Sequence, residues 1–314
     1  MESRENPAYG RKVFFLNPPF NIRKLIISKL QELEYEIYVI DDYKNAKNVL
    51  RHYPDSICFI NIDNHDGNEL TVNQWFNFIQ SFADDPVLKT IYTGILAGRT
   101  SQSEKNFFLL NANIPAGFIS INETVEELVQ ILTGILDING AKGRRQYVRA
   151  KCRKNGQAVV KITLNNACYM LQIIDISSVG LACELPPANQ NAFPANTLLR
   201  DINIRLDDKF ITCSAAVLSA KQFGDKLSLI LLFLKGTSYS VKDAVRTYVF
   251  DQLHSEMLNA IVGDMPDTTV YSDKISLKDK DAFLMEADDS GTNSVSNSPD
   301  TEITGQAQTL TTLF

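Results

Sequence analysis

The chain has 314 residues, room for about two domains with separate cores. Its formal charge of −6 is uneven: residues 264–314 hold ten acids and three lysines, a net of −7, which leaves residues 1–263 at +1. A near-neutral folded part argues against general electrostatic binding to nucleic acid, and no apolar run approaches the roughly 18 residues of a membrane span. Met1 to Lys12 is polar and charged, unlike a signal peptide, and Cys58, Cys152, Cys168, Cys183 and Cys213 show neither a CxxC pair nor metal spacing. Reduced, mostly buried thiols and a cytoplasmic location are expected.

From the amino terminus, strands and helices alternate. Val13–Leu16 is a short apolar run stopped by Asn17-Pro18-Pro19. Ile22, Leu25, Ile26, Leu30 and Leu33 then fall on one helical face. A strand at Glu36–Ile40, a helix at Tyr43–His52 and a strand at Ser56–Ile62 follow. Next come a helix at Val72–Phe82, a strand at Leu88–Thr93, a helix at Ser103–Leu110, a strand at Gly117–Ile121 and a helix at Val125–Leu136. Gly94–Arg99 lacks the Gly-Lys-Ser/Thr ending of a phosphate loop and reads as a plain connection. Five βα units with nearly continuous apolar strands predict an α/β domain over residues 1–137. Its parallel sheet would be covered on both faces, in the flavodoxin-like order.

This part resembles a response-regulator receiver domain in pattern, without that family's phosphorylation chemistry. Asn17-Pro18-Pro19 stands where an acidic pair should hold Mg²⁺, Asn61 aligns with the phospho-accepting Asp, and Ile121-Asn122 replaces the Lys-Pro after the fifth strand. Thr93, taken as the end of the fourth strand, fits. An amide accepts no phosphoryl group, so a pseudo-receiver scaffold for protein contacts is expected. A rival reading shifts the register and makes Asp63 the acceptor.

Residues 138–149 are small, polar and glycine-bearing at their start, as in a linker, and end on Arg144-Arg145-Gln146-Tyr147-Val148-Arg149. The pattern then changes to short strands at Tyr147–Cys152, Ala158–Leu164, Ala167–Ile174, Gly180–Leu185, Leu198–Leu206, Phe210–Ala220 and Lys226–Phe233. Turn signals separate them at Lys154-Asn155-Gly156, Asn165-Asn166 and Leu206–Lys209, which indicates an antiparallel barrel. Ser240–Val262 reads as a helix with one apolar side, which packs on the barrel or the first domain, or forms a homodimer face. Residues 263–314 are acidic and poor in large apolar groups, so a disordered tail is expected.

Arginines four apart, a strand, and then Asp175-x-Ser177-x-x-Gly180 suit an anionic, guanine-bearing ligand. Guanidinium grips phosphate with two parallel bonds, meets the O6/N7 edge of guanine, or stacks on its face. Asp175 and Ser177, two apart on an extended segment, point the same way, and Gly180 suits a positive φ or a close backbone approach. The pair of motifs, Arg145-x-x-x-Arg149 and Asp175-x-Ser177-x-x-Gly180 about 25 residues downstream, resembles the PilZ family of bacterial cyclic di-GMP-binding domains. The resemblance implies a six-stranded barrel over residues 150–262 with its carboxyl-terminal helix. It also implies Arg145 and Arg149 on phosphate and guanine, and Asp175, Ser177 and Gly180 facing the other purine. Arg144 stands where a basic residue accompanies an intercalated ligand dimer.

The function expected is therefore a non-enzymatic cyclic di-GMP receptor in motility or envelope signalling. It would use no cofactor beyond the ligand, would insert in no membrane, and would act on a protein partner. A ligand-silent adaptor is the alternative. Nucleic-acid binding through Arg144–Lys154, with Tyr147 for stacking, ranks below both.

Overall fold

The computed structural model describes residues 10–63, 70–152, 157–223 and 226–274. Strands β1 (Val13–Leu16), β2 (Ile37–Ile40), β3 (Ile57–Asn61), β4 (Tyr92–Ala97) and β5 (Phe118–Ser120) form a parallel sheet in the order β2-β1-β3-β4-β5. That is the expected flavodoxin-like order. Every residue of β1 and β3 is buried, as befits central strands with helices on both faces. The helices are α1 (Ser28–Glu32), entered through a π-helical turn at Ile22–Ile27, α2 (Tyr43–His52), α3 (Val72–Gln80), α4 (Gln102–Asn111) and α5 (Val125–Ile138). Thr71 with Gln74, Ser101 with Glu104, and Thr124 with Glu127 each close a reciprocal capping box, which fixes where α3, α4 and α5 begin. Phe15, Phe59, Leu96 and Ile119 from the sheet pack with Leu128, Leu132 and Leu136 of α5 in one core.

β4 departs from the sequence expectation. Leu88–Thr90 is a single 3-10 turn, because the Asp85 carboxylate accepts from the Val87 and Leu88 amides and the Thr90 hydroxyl donates to the Val87 carbonyl. The strand starts later and includes Gly94, where a Cβ would come within 2.8 Å of the Phe59 ring. Gly94–Ala97 is therefore strand rather than connection. Thr93, buried and paired with Cys58, is no strand end. Asp63 is also buried, and its two oxygens accept from the Gly98 and Arg99 amides at 2.8 and 3.1 Å. An acyl phosphate on Asp63 would have to break that anchor.

Strands β6 (Arg149–Lys151), β7 (Ala158–Leu164), β8 (Ala167–Ser177), β9 (Gly180–Leu185), β10 (Leu198–Leu206), β11 (Lys209–Phe223) and β12 (Lys226–Phe233) make the second sheet. Six of them close in the antiparallel ring β8-β7-β10-β11-β12-β9, and β9 pairs back to β8. β6 lies on the end of β8, beyond β7. Alternate residues fill the barrel, among them Val160, Ile162, Leu171, Ile173, Ile204, Val217, Leu229 and Leu231. Asn165 and Asn166, both at positive φ, make the tight turn between β7 and β8. The expected turn at Lys154-Asn155-Gly156 lies outside the described residues.

Helix α6 (Tyr239–Ala260) starts at Ser238, whose hydroxyl accepts from the Val241 amide. It packs on β6, β8 and β11 and also on β2 and α2, so the described residues form one compact unit. Its apolar side, with Val245, Tyr248, Val249, Leu253 and Met257, is buried within the chain.

Two boundaries move. The segment expected as linker is anchored at its start: the Arg11 amide donates to the Gly140 carbonyl, and Ala141 is buried in the first core. A Cβ on Gly10 would lie 2.0 Å from the Ala141 carbonyl oxygen, so only glycine permits that approach. Residues 264–274, expected in a disordered tail, instead strap across α2 and α3. Asn48, Gln74 and Asn77 side-chain amides donate to the carbonyls of Met265, Tyr271 and Ser272. Tyr271 is buried against Phe78, and Lys47 meets Asp267 at 3.1 Å. Composition missed this because backbone carbonyls, read by helix amides, carry the contact. The rest of the expected tail, 275–314, lies outside the described residues.

Candidate functional site

The two motifs meet where β6 pairs with the end of β8. Arg149 lies opposite Ser177 and Lys151 opposite Asp175, while the intervening Ala150 and Ile176 point into the core. Strict alternation from the buried Leu171 and Ile173 would also turn Asp175 inward. A bulge at Ile174 prevents this: the register with β9 runs Ile173 to Cys183 and then Asp175 to Ala182. After it, Asp175 stands on the outer face with Arg149, whose Nη1 lies 4.0 Å from Asp175 Oδ1. Ser178 and Val179 form the turn into Gly180, and the buried Ser177 hydroxyl donates to the Gly180 carbonyl at 3.2 Å. Gly180 is required by proximity: a Cβ there would meet the Leu231 carbonyl oxygen at 2.3 Å.

Two clefts flank this strand end. The larger, of about 630 Å³, is walled by Arg145, Tyr147, Arg149, Lys151 and Asp175, and from other elements by Lys12, Glu36, Lys142 and Glu256. The smaller, of about 340 Å³, is walled by Arg149, Asp175, Ser177 and Gly180 with the apolar Val179, Leu181, Ile230 and Leu232. Both sizes suit small-molecule sites. Arg149 and Asp175 line both, so they sit on the ridge between a charged compartment and an apolar one. Burial raises the Asp175 carboxyl above its ordinary range, and the charges of Arg149 and Arg145 only partly offset it. A nearby donor, such as a guanine edge or another guanidinium, would stabilise the ionised form.

Of the residues read from sequence, Arg145, Arg149, Asp175, Ser177 and Gly180 line one or both clefts. Arg144 is exposed and lines neither. Sequence reading missed Lys12, Glu36 and Glu256, which have no local motif and arrive by tertiary packing, and Lys142 and Lys151, which flank the arginine motif in the chain. Lys12 is held by Glu36 at 2.6 Å and by the Tyr38 hydroxyl at 3.2 Å. Glu34 was missed as well. It follows α1 at φ +63°, in a Schellman motif whose bonds run from the Glu34 amide to the Gln31 carbonyl and from the Tyr35 amide to the Leu30 carbonyl. Glycine is usual at that position, and a side chain there costs roughly 1 kcal/mol. Its carboxylate accepts from the Val148 amide at 2.9 Å and from the Ser178 hydroxyl at 2.6 Å. One residue of the first sheet domain thus touches both motifs.

Several solved structures are similar to part of this chain. The PilZ domain of YcgR from Escherichia coli, with c-di-GMP, matches 37% of this chain and 97% of its own length, at 17% identity and a TM-score of 0.34. MrkH of K. pneumonia, in complex with c-di-GMP, matches over 37% of this chain and 55% of its own, at 18% identity and a TM-score of 0.34. The inhibitor of motility MotI/DgrA of Bacillus subtilis matches over 36% and 53%, at 22% identity and a TM-score of 0.31. The chain thus spans about half the length of the two longer proteins. No family model and no curated protein matches the sequence.

Among the described residues, no group of three or more His, Cys, Asp or Glu side chains is placed to hold a metal ion. Burial pushes the thiols of Cys58, Cys152 and Cys183 up to about 12 and that of Cys213 to about 11, the reverse of nucleophile activation. No helix of the described residues is long and apolar enough to cross a membrane.

Proposed function

We propose that this chain is a cytoplasmic cyclic di-GMP receptor that acts by ligand binding, without catalysis or a cofactor. The observation that carries the reading is the shared ridge: Arg149 and Asp175 line a charged cleft on one side and an apolar cleft on the other. A ligand with phosphates and flat purine faces suits that division, with Arg145 and Arg149 gripping phosphate or guanine and Asp175 accepting from the base edge. Ser177 and Gly180 shape the apolar wall. The moving part is the stretch 142–147, since Ala141 is fixed in the first core, Val148 by its amide bond to Glu34, and Arg149 in the sheet. Ordering it around a ligand would re-aim the first sheet domain, a pseudo-receiver, against the barrel and change the surface offered to a protein partner in motility or envelope signalling.

Titration calorimetry tests this on the full chain and on the double variant Arg145→Ala, Arg149→Ala. The reading requires micromolar or tighter binding of cyclic di-GMP, discrimination against GMP and cyclic di-AMP, and loss of heat in the double variant. A stoichiometry near two ligands would give Arg144 its role. No heat, and no change of melting temperature with excess ligand, would refute it and leave the adaptor reading. A steep salt dependence with no preference for the cyclic dinucleotide would point to nucleic acid instead.

A further inference from the structure

The Glu34 carboxylate is held as a bound anion would be. It takes one hydrogen bond from a main-chain amide inside the Arg145–Arg149 motif and one from a hydroxyl inside the Asp175–Gly180 motif. Both are charge-assisted bonds, the kind that also binds phosphate oxygens. Glu34 also lines the larger cleft, where Lys12, Lys142, Arg145, Arg149 and Lys151 outnumber the other carboxylates, Glu36, Asp175 and Glu256, so the surroundings favour a further negative charge. Glu34 reaches it from a left-handed backbone position where glycine would be less strained. Helix termination alone therefore gives no reason for glutamate here.

From this we propose that the Val148 amide and the Ser178 hydroxyl form an anion cradle between the two motifs. In the free protein Glu34 fills it, and in the bound protein a ligand phosphate takes it over. This rests on the receptor reading and adds what regulates that site: a built-in competitor. Displacing Glu34 removes hydrogen bonds that tie the α1–β2 turn to the barrel, so filling the cradle and loosening the first sheet domain become one event. The competitor also lowers apparent affinity, because only the fraction of molecules with a vacated cradle binds at full strength.

The experiment is titration of the full chain with cyclic di-GMP in three forms: unaltered, Glu34→Gly and Glu34→Gln. Glycine removes the carboxylate and relieves the left-handed turn, so the fold is retained. Glutamine keeps the shape and removes the charge. Competition predicts tighter binding in both variants, roughly three- to tenfold. Unchanged or weaker binding in both, with melting temperatures retained, would overturn it and make Glu34 a positioning residue that aligns the motifs. Absence of binding in all three forms would overturn the receptor reading itself, a result distinct from equal binding in all three.

Discussion

Gly180→Ala gives the most direct test of how the site is built. The added methyl would stand 2.3 Å from the Leu231 carbonyl oxygen, more than 1 Å inside ordinary contact, which begins at 3.4 Å. The obstacle is backbone in a paired strand, with Gly180 opposite Leu232, so no side chain can rotate away. Strand β9 would have to part from β12 at its first residue. Overpacking of this kind costs about 1–3 kcal/mol, and each ladder hydrogen bond lost adds about 1 kcal/mol, so about 3 kcal/mol is expected. Urea unfolding at neutral pH measures it. The control is Gly134→Ala in α5, where nothing lies within 4 Å of the new methyl and helix propensity alone should give a gain of about 1 kcal/mol. Equal stability of Gly180→Ala and the unaltered chain would refute the close-approach argument and leave Gly180 with a ligand role only.

Two carboxylates should respond to pH with opposite sign. Asp175 has a raised folded-state pKa, so its charge opposes folding at neutral pH, and its contribution is favourable only when protonated. Asp175→Asn should therefore melt higher than the unaltered chain at pH 7, with the gap closing on acidification, while cyclic di-GMP binding weakens. A higher melting temperature for the unaltered chain would mean that pairing with Arg149 outweighs burial. Asp267 is the reverse case. Burial pushes its carboxyl up, but bonds from Thr269, Tyr271 and Lys47 outweigh that and hold it far below the ordinary range. Its stabilisation is present above the ordinary carboxylate range and is lost as pH falls. Asp267→Asn should cost about 2 kcal/mol at pH 7 in urea unfolding, with the difference shrinking in acid. A difference that does not vary with pH would contradict the charge-based account of the strap.

The fold was legible where local pattern and tertiary demand agree. β1, β7, β9, β10 and β12 run as read from sequence, because apolar alternation or apolar runs end there on unambiguous turn residues such as Asn165-Asn166. β4 was misplaced because Leu88 is apolar for a local reason, the core beneath a 3-10 turn, and because Gly94 reads as a breaker unless Phe59 is known to lie over it. Of the candidate site, the residues on β6, β8 and β9 were visible as motifs. Lys12, Glu34 and Glu256 were not, since chain separation hides any contact made only when α1, α6 and the first sheet close on the barrel. Glu34 did leave one sequence-level trace: a glutamate where the end of a helix favours glycine.

The bulge at Ile174 has a consequence for reading relatives of this chain. It separates the letters of the motif from the orientation of its side chains. A homologue could keep Arg-x-x-x-Arg and Asp-x-Ser-x-x-Gly intact, lose one residue upstream in the same strand, and turn its aspartate into the barrel. By text it would count as a receptor; by geometry its acid would be a buried charge with no ligand to meet. Spacing between the buried Ile173 and the buried Ile176, three rather than two, is the mark that the acid faces out. Among such chains, the count of residues between inward-facing positions should sort binders from silent forms better than the motif does.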